Sequence, residues 1–254
     1  GLLVVAALAP FLAPADPIKQ SLPDQLKPPG LGHLMGTDDF GRDILSRVIF
    51  GARITIQVGV ISVGIGLVVG VVLGCVSGFY GGLADSLIMR LMDLMLAFPG
   101  ILLAIAVMAI LGPGLENAMV AVGVVAIPTY ARLVRASVLS IREKEYVEAA
   151  RAIGGSDLRT MFSHILPNCL PPIIVQATLG VGHAILEAAA LGFLGLGAQR
   201  PFPEWGLMLS EAQSLFYRAP HVAAFPGLAI MVTVLGFNLL GDGLRDALDP
   251  RLRE

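Results

Sequence analysis

Apolar runs at roughly 54–78, 87–111, 117–138, 168–192 and 221–241 decide what this chain can become. Each is close to the ~20 residues that a helix needs to cross a hydrocarbon core. Lipid offers no water to a bare amide, so a spanning segment must satisfy its own backbone. The runs are aromatic-poor and do not alternate, which selects helices over a barrel. Composition points the same way: 56% of residues are apolar and 14% charged, against roughly a quarter charged in an ordinary soluble domain. A sixth apolar stretch, 1–14, is short for a span and reads as the rest of a first transmembrane helix that starts before residue 1. No charged leader or small-residue cleavage site accompanies it, so no cleavable signal peptide is read there. The expectation is one all-α domain over 1–254, a polytopic membrane bundle of six transmembrane helices. Outer loops at 15–53 and 193–220 and a loop at 139–168 connect them.

Lys and Arg in the connections give the orientation. The 130–168 connection holds Arg132, Arg135, Arg142, Lys144, Arg151 and Arg159, and the tail holds Arg245, Arg251 and Arg253. Both fall on one side of a six-span chain, which places the 139–168 loop and the C-terminus in the cytoplasm. The 15–53 connection weakens this reading, because it holds Lys19, Lys27, Arg42, Arg47 and Arg53 among five aspartates. A net charge of -2 without an extended basic run gives no sign of a nucleic-acid partner. Cys75 and Cys169 lie in different apolar segments and read as packing residues, since two thiols make neither a disulfide framework nor a metal cluster.

Gly66, Gly70, Gly74 and Gly78 recur every fourth residue and lay a flat strip along one face of the 54–78 helix. Such a strip lets a second backbone approach closely, either within the chain or in a partner subunit. Pro99, Pro128 and Pro171-Pro172 fall within or beside spans, where they remove hydrogen bonds and permit kinks.

The 139–168 loop reads as a two-helix elbow on the membrane surface. A first helix, about 143–153, has acidic residues in its opening turn and stops at Gly154-Gly155. Ser156 or Asp157 caps a second, which runs to a stop at Pro167. Small residues Ala149 and Ala150 let a partner surface pack close, and Glu148 and Arg151 offer charges across such a contact. The apolar Tyr146, Val147, Ile153 and Phe162 argue against a merely solvated loop.

Glu148-Ala149-Ala150, three residues, Gly154 and then Leu166-Pro167 resemble the EAA loop of ABC-importer permeases, and His164 before Ile165-Leu166-Pro167-Asn168 resembles its peptide and nickel branch. Further stretches are similar to C-type subunits of dipeptide and oligopeptide importers: 33–47 (HLMGTDDFGRDILSR), 51–55 (GARIT), 97–99 (AFP), 193–197 (FLGLG), 203–206 (PEWG) and 242–250 (DGLRDALDP). The resemblance implies a multi-pass protein of the bacterial inner membrane. Its coupling residues would be Tyr146, Glu148, Ala149, Ala150, Arg151, Gly154, Gly155, His164, Leu166 and Pro167, inserted into a groove of an ATPase. It implies as partners a homologous second permease, two ATPase subunits and an extracytoplasmic substrate-binding protein, together moving cargo by alternating access. Peptides head the cargo classes, with nickel, glutathione or a short sugar-like solute behind them. This chain would bind no cofactor; ATP and magnesium would sit on the ATPases.

Acid and base groups inside spans are costly and mark interior faces. Asp93 either pairs with Arg90, one turn away, or borders a pathway. Glu187, one turn from His183, either borders the pathway or bonds a neighbouring helix. In the 198–220 connection, Trp205 and Phe216 either anchor an interfacial helix or meet a substrate-delivering partner. None of Lys19, Lys27 and Lys144 sits in a phosphate-binding loop, and neither a zinc-protease motif nor a nucleophile elbow occurs. That leaves a translocation subunit without catalytic residues, its rival being a stand-alone secondary transporter or channel.

Overall fold

The computed structural model describes residues 1–248, with Arg151 described by its backbone alone. Arg251, Arg253 and the last two residues of the 242–250 stretch lie outside the described residues. Two short helices, α1 (Leu2–Ala7) and α2 (Ala9–Leu12), open the chain, and a loop leads to α3 (Ile44–Tyr80). Then come α4 (Gly82–Leu96), α5 (Gly100–Leu111), α6 (Leu115–Arg142), α7 (Glu145–Ala152), α8 (Asp157–Thr160), α9 (Leu166–Phe193), α10 (Trp205–Glu211) and α11 (His221–Leu248). No β-strand occurs among the described residues; one isolated bridge joins Thr37 and Asp43.

Among the described residues four helical paths are long and apolar enough to cross a bilayer: α3, α6, the path through α8 and α9, and α11. The bent pair of α4 and α5 raises the number to five. The expected span at 87–111 is this pair, bent by 96° across 97–99. Pro99 supplies no N–H and disfavours helical geometry at Phe98, so α4 ends there and α5 starts afresh.

α3 begins well before 54, because Asp43 accepts hydrogen bonds from the Ser46 amide and hydroxyl, both at 2.8 Å. At 37 residues it is about 55 Å long, nearly twice a bilayer's hydrocarbon thickness, so part of it stands clear of lipid. Its glycine strip packs against α6 within the same chain. A Cβ at Gly70 would lie 2.5 Å from the Tyr130 Cβ, and one at Gly74 would lie 2.6 Å from the Ala131 carbonyl. A Cβ at Gly66 would lie 2.8 Å from the Ala126 Cβ, and one at Gly78 would lie 2.9 Å from the Val138 Cβ. Of the two readings of the strip, the internal one is observed. α9 closes the core against both helices through Val58, Val63, Tyr130, Val181, Ile185 and Leu191. Val60, Val68, Leu186, Val232 and Leu239 face outward, as suits a lipid boundary.

Candidate functional site

α7 starts at Glu145, and Glu145 and Glu148 in its first turn complement the positive end of the helix. It stops where expected, through two different demands on two glycines. Gly154 takes φ +86°, a left-handed conformation that L side chains rarely adopt. Gly155 donates to the Ala150 carbonyl at 3.0 Å, and a Cβ there would fall 2.6 Å from that oxygen. The pattern is a Schellman stop. Ser156 then caps α8, accepting from the Arg159 amide at 3.4 Å.

The second arm departs from the expected stop at Pro167. A π-helical turn, Met161–Ile165, joins α8 to α9, and the helical path runs on to Phe193. Pro167 sits in the first turn of α9, where a proline's missing N–H is tolerated. Asn168 Nδ2 donates to the His164 carbonyl at 2.7 Å.

Burial divides the elbow residues into two sets. Val147 and Ala150 are buried; Val147 packs with Ile141, Met161 and Ile165, and Leu166 lies half-buried against them. His164 and Gly155 are half-buried, while Glu148, Ala149, Gly154 and Pro167 are exposed. The side chain of Arg151 lies outside the described residues. Four large apolar side chains stand out in solvent: Tyr146, Leu158, Phe162 and Ile153, the last 88% exposed. Leu158 was not among the expected site residues, although an apolar residue beside a helix cap on a loop is a readable signal. Exposed apolar side chains in such number mark a contact surface.

Three ionic groups resolve the charges left open in the sequence. Asp93 pairs with Arg132 of α6 and not with Arg90, because α4 lies alongside α6 and brings the two together. Asp85 holds Arg135 through two bonds of 2.6 Å and accepts from the Ser77 hydroxyl. At the opposite end of the bundle, Arg42 donates to Asp38 at 2.6 Å and to Glu211 at 2.9 Å. Glu211 also accepts from Arg47 at 3.3 Å and from Arg200 at 2.6 Å. Arg42 and Arg47 are buried, so two of the five basic residues that weakened the orientation reading are internal partners of acids, while Lys19, Lys27 and Arg53 are exposed. Burial, reinforced by neighbouring Asp38, raises Asp39 above the usual carboxylate range.

Trp205 is no interfacial anchor. It is buried, its Nε1 donates to the Val48 carbonyl at 3.1 Å, and Gly51 leaves room for the ring, since a Cβ there would come within 2.4 Å of Nε1. Phe216 is exposed. Glu204 caps α10, accepting from the amides of Gly206 at 2.8 Å and Leu207 at 2.7 Å. Burial outweighs both bonds and raises its carboxyl above the ordinary glutamate value.

Glu187 and His183 lie in a cavity of about 310 Å³ between α6, α9 and the start of α5, shared with Thr129, Tyr130, Gln176 and Gly180. Asp93 lies outside its lining. The polar positions 176, 183 and 187 share one face of α9, a spacing that the sequence displayed but that was not assembled from it. Among the described residues no neighbouring helix supplies Glu187 with a hydrogen bond.

Residues 70–254 match the family described as "Binding-protein-dependent transport system inner membrane component". A dipeptide transport system permease protein of Alkalihalophilus pseudofirmus is 54% identical over 99% of this chain and 83% of its own length. A glutathione transport system permease protein of Pectobacterium atrosepticum is 50% identical over 99% of this chain and 84% of its own. Among solved structures, the inward-facing MetNI methionine ABC transporter shares the fold at TM-score 0.66 and 22% identity, over 81% of this chain and 98% of that one.

Proposed function

This chain belongs to the family of inner-membrane components of binding-protein-dependent transport systems, and on that premise we propose that it is the permease through which a separate ATPase drives peptides into the cell. The observation that carries the coupling half of this reading is the elbow. It has a glycine stop, a buried inner face that includes Val147 and Ala150, and four large apolar side chains exposed on its outside. Such a surface fits the groove of an ATPase subunit. Closure of two ATPases on ATP, with its magnesium, would drive two such elbows together. The bundle would then switch between two packings, open first to an extracytoplasmic binding protein and then to the cytoplasm. In this scheme a homologous second permease completes the pathway. α1 and α2 belong to a first span, which makes six, and the elbow and C-terminus face the cytoplasm.

Coupling falls to Tyr146, Glu148, Ala149, Arg151 and the exposed apolar set, while Ala150, Gly154, Gly155, His164, Leu166 and Pro167 hold the shape. Glu187 and His183 border the pathway; Asp93, held by Arg132, flanks it. Peptide cargo rests on the dipeptide relatives, and glutathione, itself a peptide, is the second reading that the glutathione relatives favour. The test is uptake beside ATP hydrolysis in vesicles holding the complete importer. Phe162→Asp and Ile153→Asp are expected to abolish uptake and release the ATPase from the membrane complex, with the permease still folded. Normal ligand-stimulated uptake in both variants would refute the coupling role.

A further inference from the structure

We propose that Glu187 is a substrate-contacting group of the pathway, one that takes the protonated amino group of a peptide. The inference rests on the importer reading above and adds a recognition chemistry to it. Three other acids of the bundle have cationic partners: Asp85 pairs with Arg135, Asp93 with Arg132, and Glu211 with Arg42, Arg47 and Arg200. Glu187 has none among the described residues. It lies on α9 about 9 Å of helix rise from Phe193, and it opens onto the cavity without a donor from any described neighbour. An acid inside a span without a cationic partner costs free energy, and that cost marks it as a candidate binding group.

The surroundings narrow the ligand. Val122, Val125 and Ala126 of α6 give the cavity an apolar wall, which Thr129 and Tyr130 of the same helix extend with polar groups, and Gln176 and His183 face it from α9. Its volume lies at the lower end of the ~300–1,000 Å³ typical of small-molecule sites. Gly100 leaves open the space beside the carboxylate, since a Cβ there would lie 3.2 Å from Glu187 Oε1. No Lys or Arg lines the cavity, so the site presents one acidic group to a solute. The α-ammonium is the cation that every unblocked peptide carries whatever its side chains. A single carboxylate facing it would hold varied peptides by one common handle, with the hydroxyl and amide groups left for the peptide bond.

The experiment uses the complete importer in lipid nanodiscs, with Thr129→Cys as a reporter on the cavity wall. Its labelling by a small maleimide is followed with Ala-Ala or N-acetyl-Ala-Ala present. At about twice the dissociation constant Ala-Ala is expected to slow labelling about threefold, as 1 + [L]/Kd requires, and the acetylated peptide to leave it unchanged. Glu187→Gln should erase the protection and Glu187→Asp should keep it. Equal protection by both peptides, protection that survives Glu187→Gln, or no protection by Ala-Ala would overturn the assignment. ATPase stimulation by the loaded binding protein, measured on the same complex, reports on the importer reading separately.

Discussion

Gly64 and Gly74 stand ten residues apart on α3 and answer to different neighbours. Nothing lies within 4 Å of a Cβ at Gly64, whereas one at Gly74 would meet the Ala131 carbonyl at 2.6 Å. Gly64→Ala should therefore gain about 0.5–1 kcal/mol from helix propensity alone. Gly74→Ala should lose about 1–3 kcal/mol, because backbone cannot move aside as a side chain would. Thermal melting in detergent separates the two, and equal melting shifts would mean that the α3–α6 seam is looser than described. Glu204 makes a second prediction, through pH. Its folded carboxyl sits above its unfolded value, so its favourable contribution is present below the ordinary glutamate pKa of 4.5 and is lost as pH rises through the folded value. Wild-type stability measured against Glu204→Gln should fall as pH rises from 4 toward neutrality; a rise would show that the two amide bonds, and not burial, govern the group.

At the scale of the element, the elbow and the α4–α6 seam carry the mechanical predictions. Gly154→Ala forces a side chain into a left-handed backbone at about 1–2 kcal/mol. It should reduce uptake per ATP hydrolysed, and Gly154→Pro, fixed near φ −65°, should abolish it. Asp85 and Arg135 form a two-bond pair, so reversing either charge alone should weaken α4 docking while the double reversal restores part of it; a double-mutant cycle on melting temperature measures that coupling. Elements of this kind were unequally legible. The α7 stop was readable because Gly154 and Gly155 act locally, and four of the expected spans were readable because lipid imposes a length, whereas the one at 87–111 is bent at Pro99. The run through Pro167 was not, since a proline signals an end unless the register shifts to π, and that shift depends on packing of Met161 and Ile165 beneath the elbow. Trp205 misled for a similar reason: an aromatic residue among charges looks interfacial until Gly51, far away in sequence, opens a slot for it. Asp93 chose Arg132 over Arg90 because tertiary contact overrode proximity along the chain.

For the whole molecule, the bundle has a passive side and a working side. Its outer face is apolar, the core is tied by the glycine seam, and the buried Arg42–Glu211–Arg47 group locks the loop before α3 onto α10. Removing Glu211 would leave two buried arginines short of an acid, and Glu211→Ala should cost about 3–5 kcal/mol, read as a fall in melting temperature or loss of the folded protein. The polar cavity and the exposed elbow are the features that this packing does not explain. A conformational change can be driven only by a partner that binds one packing better than the other, and in the function proposed above the elbow is the surface offered to that partner. The decisive measurement is uptake of labelled Ala-Ala into vesicles holding this chain, its partner permease and the binding protein, with and without the ATPase subunits. Uptake that needs both the ATPases and ATP is the predicted result; uptake without the ATPases, driven by an ion gradient alone, would contradict it.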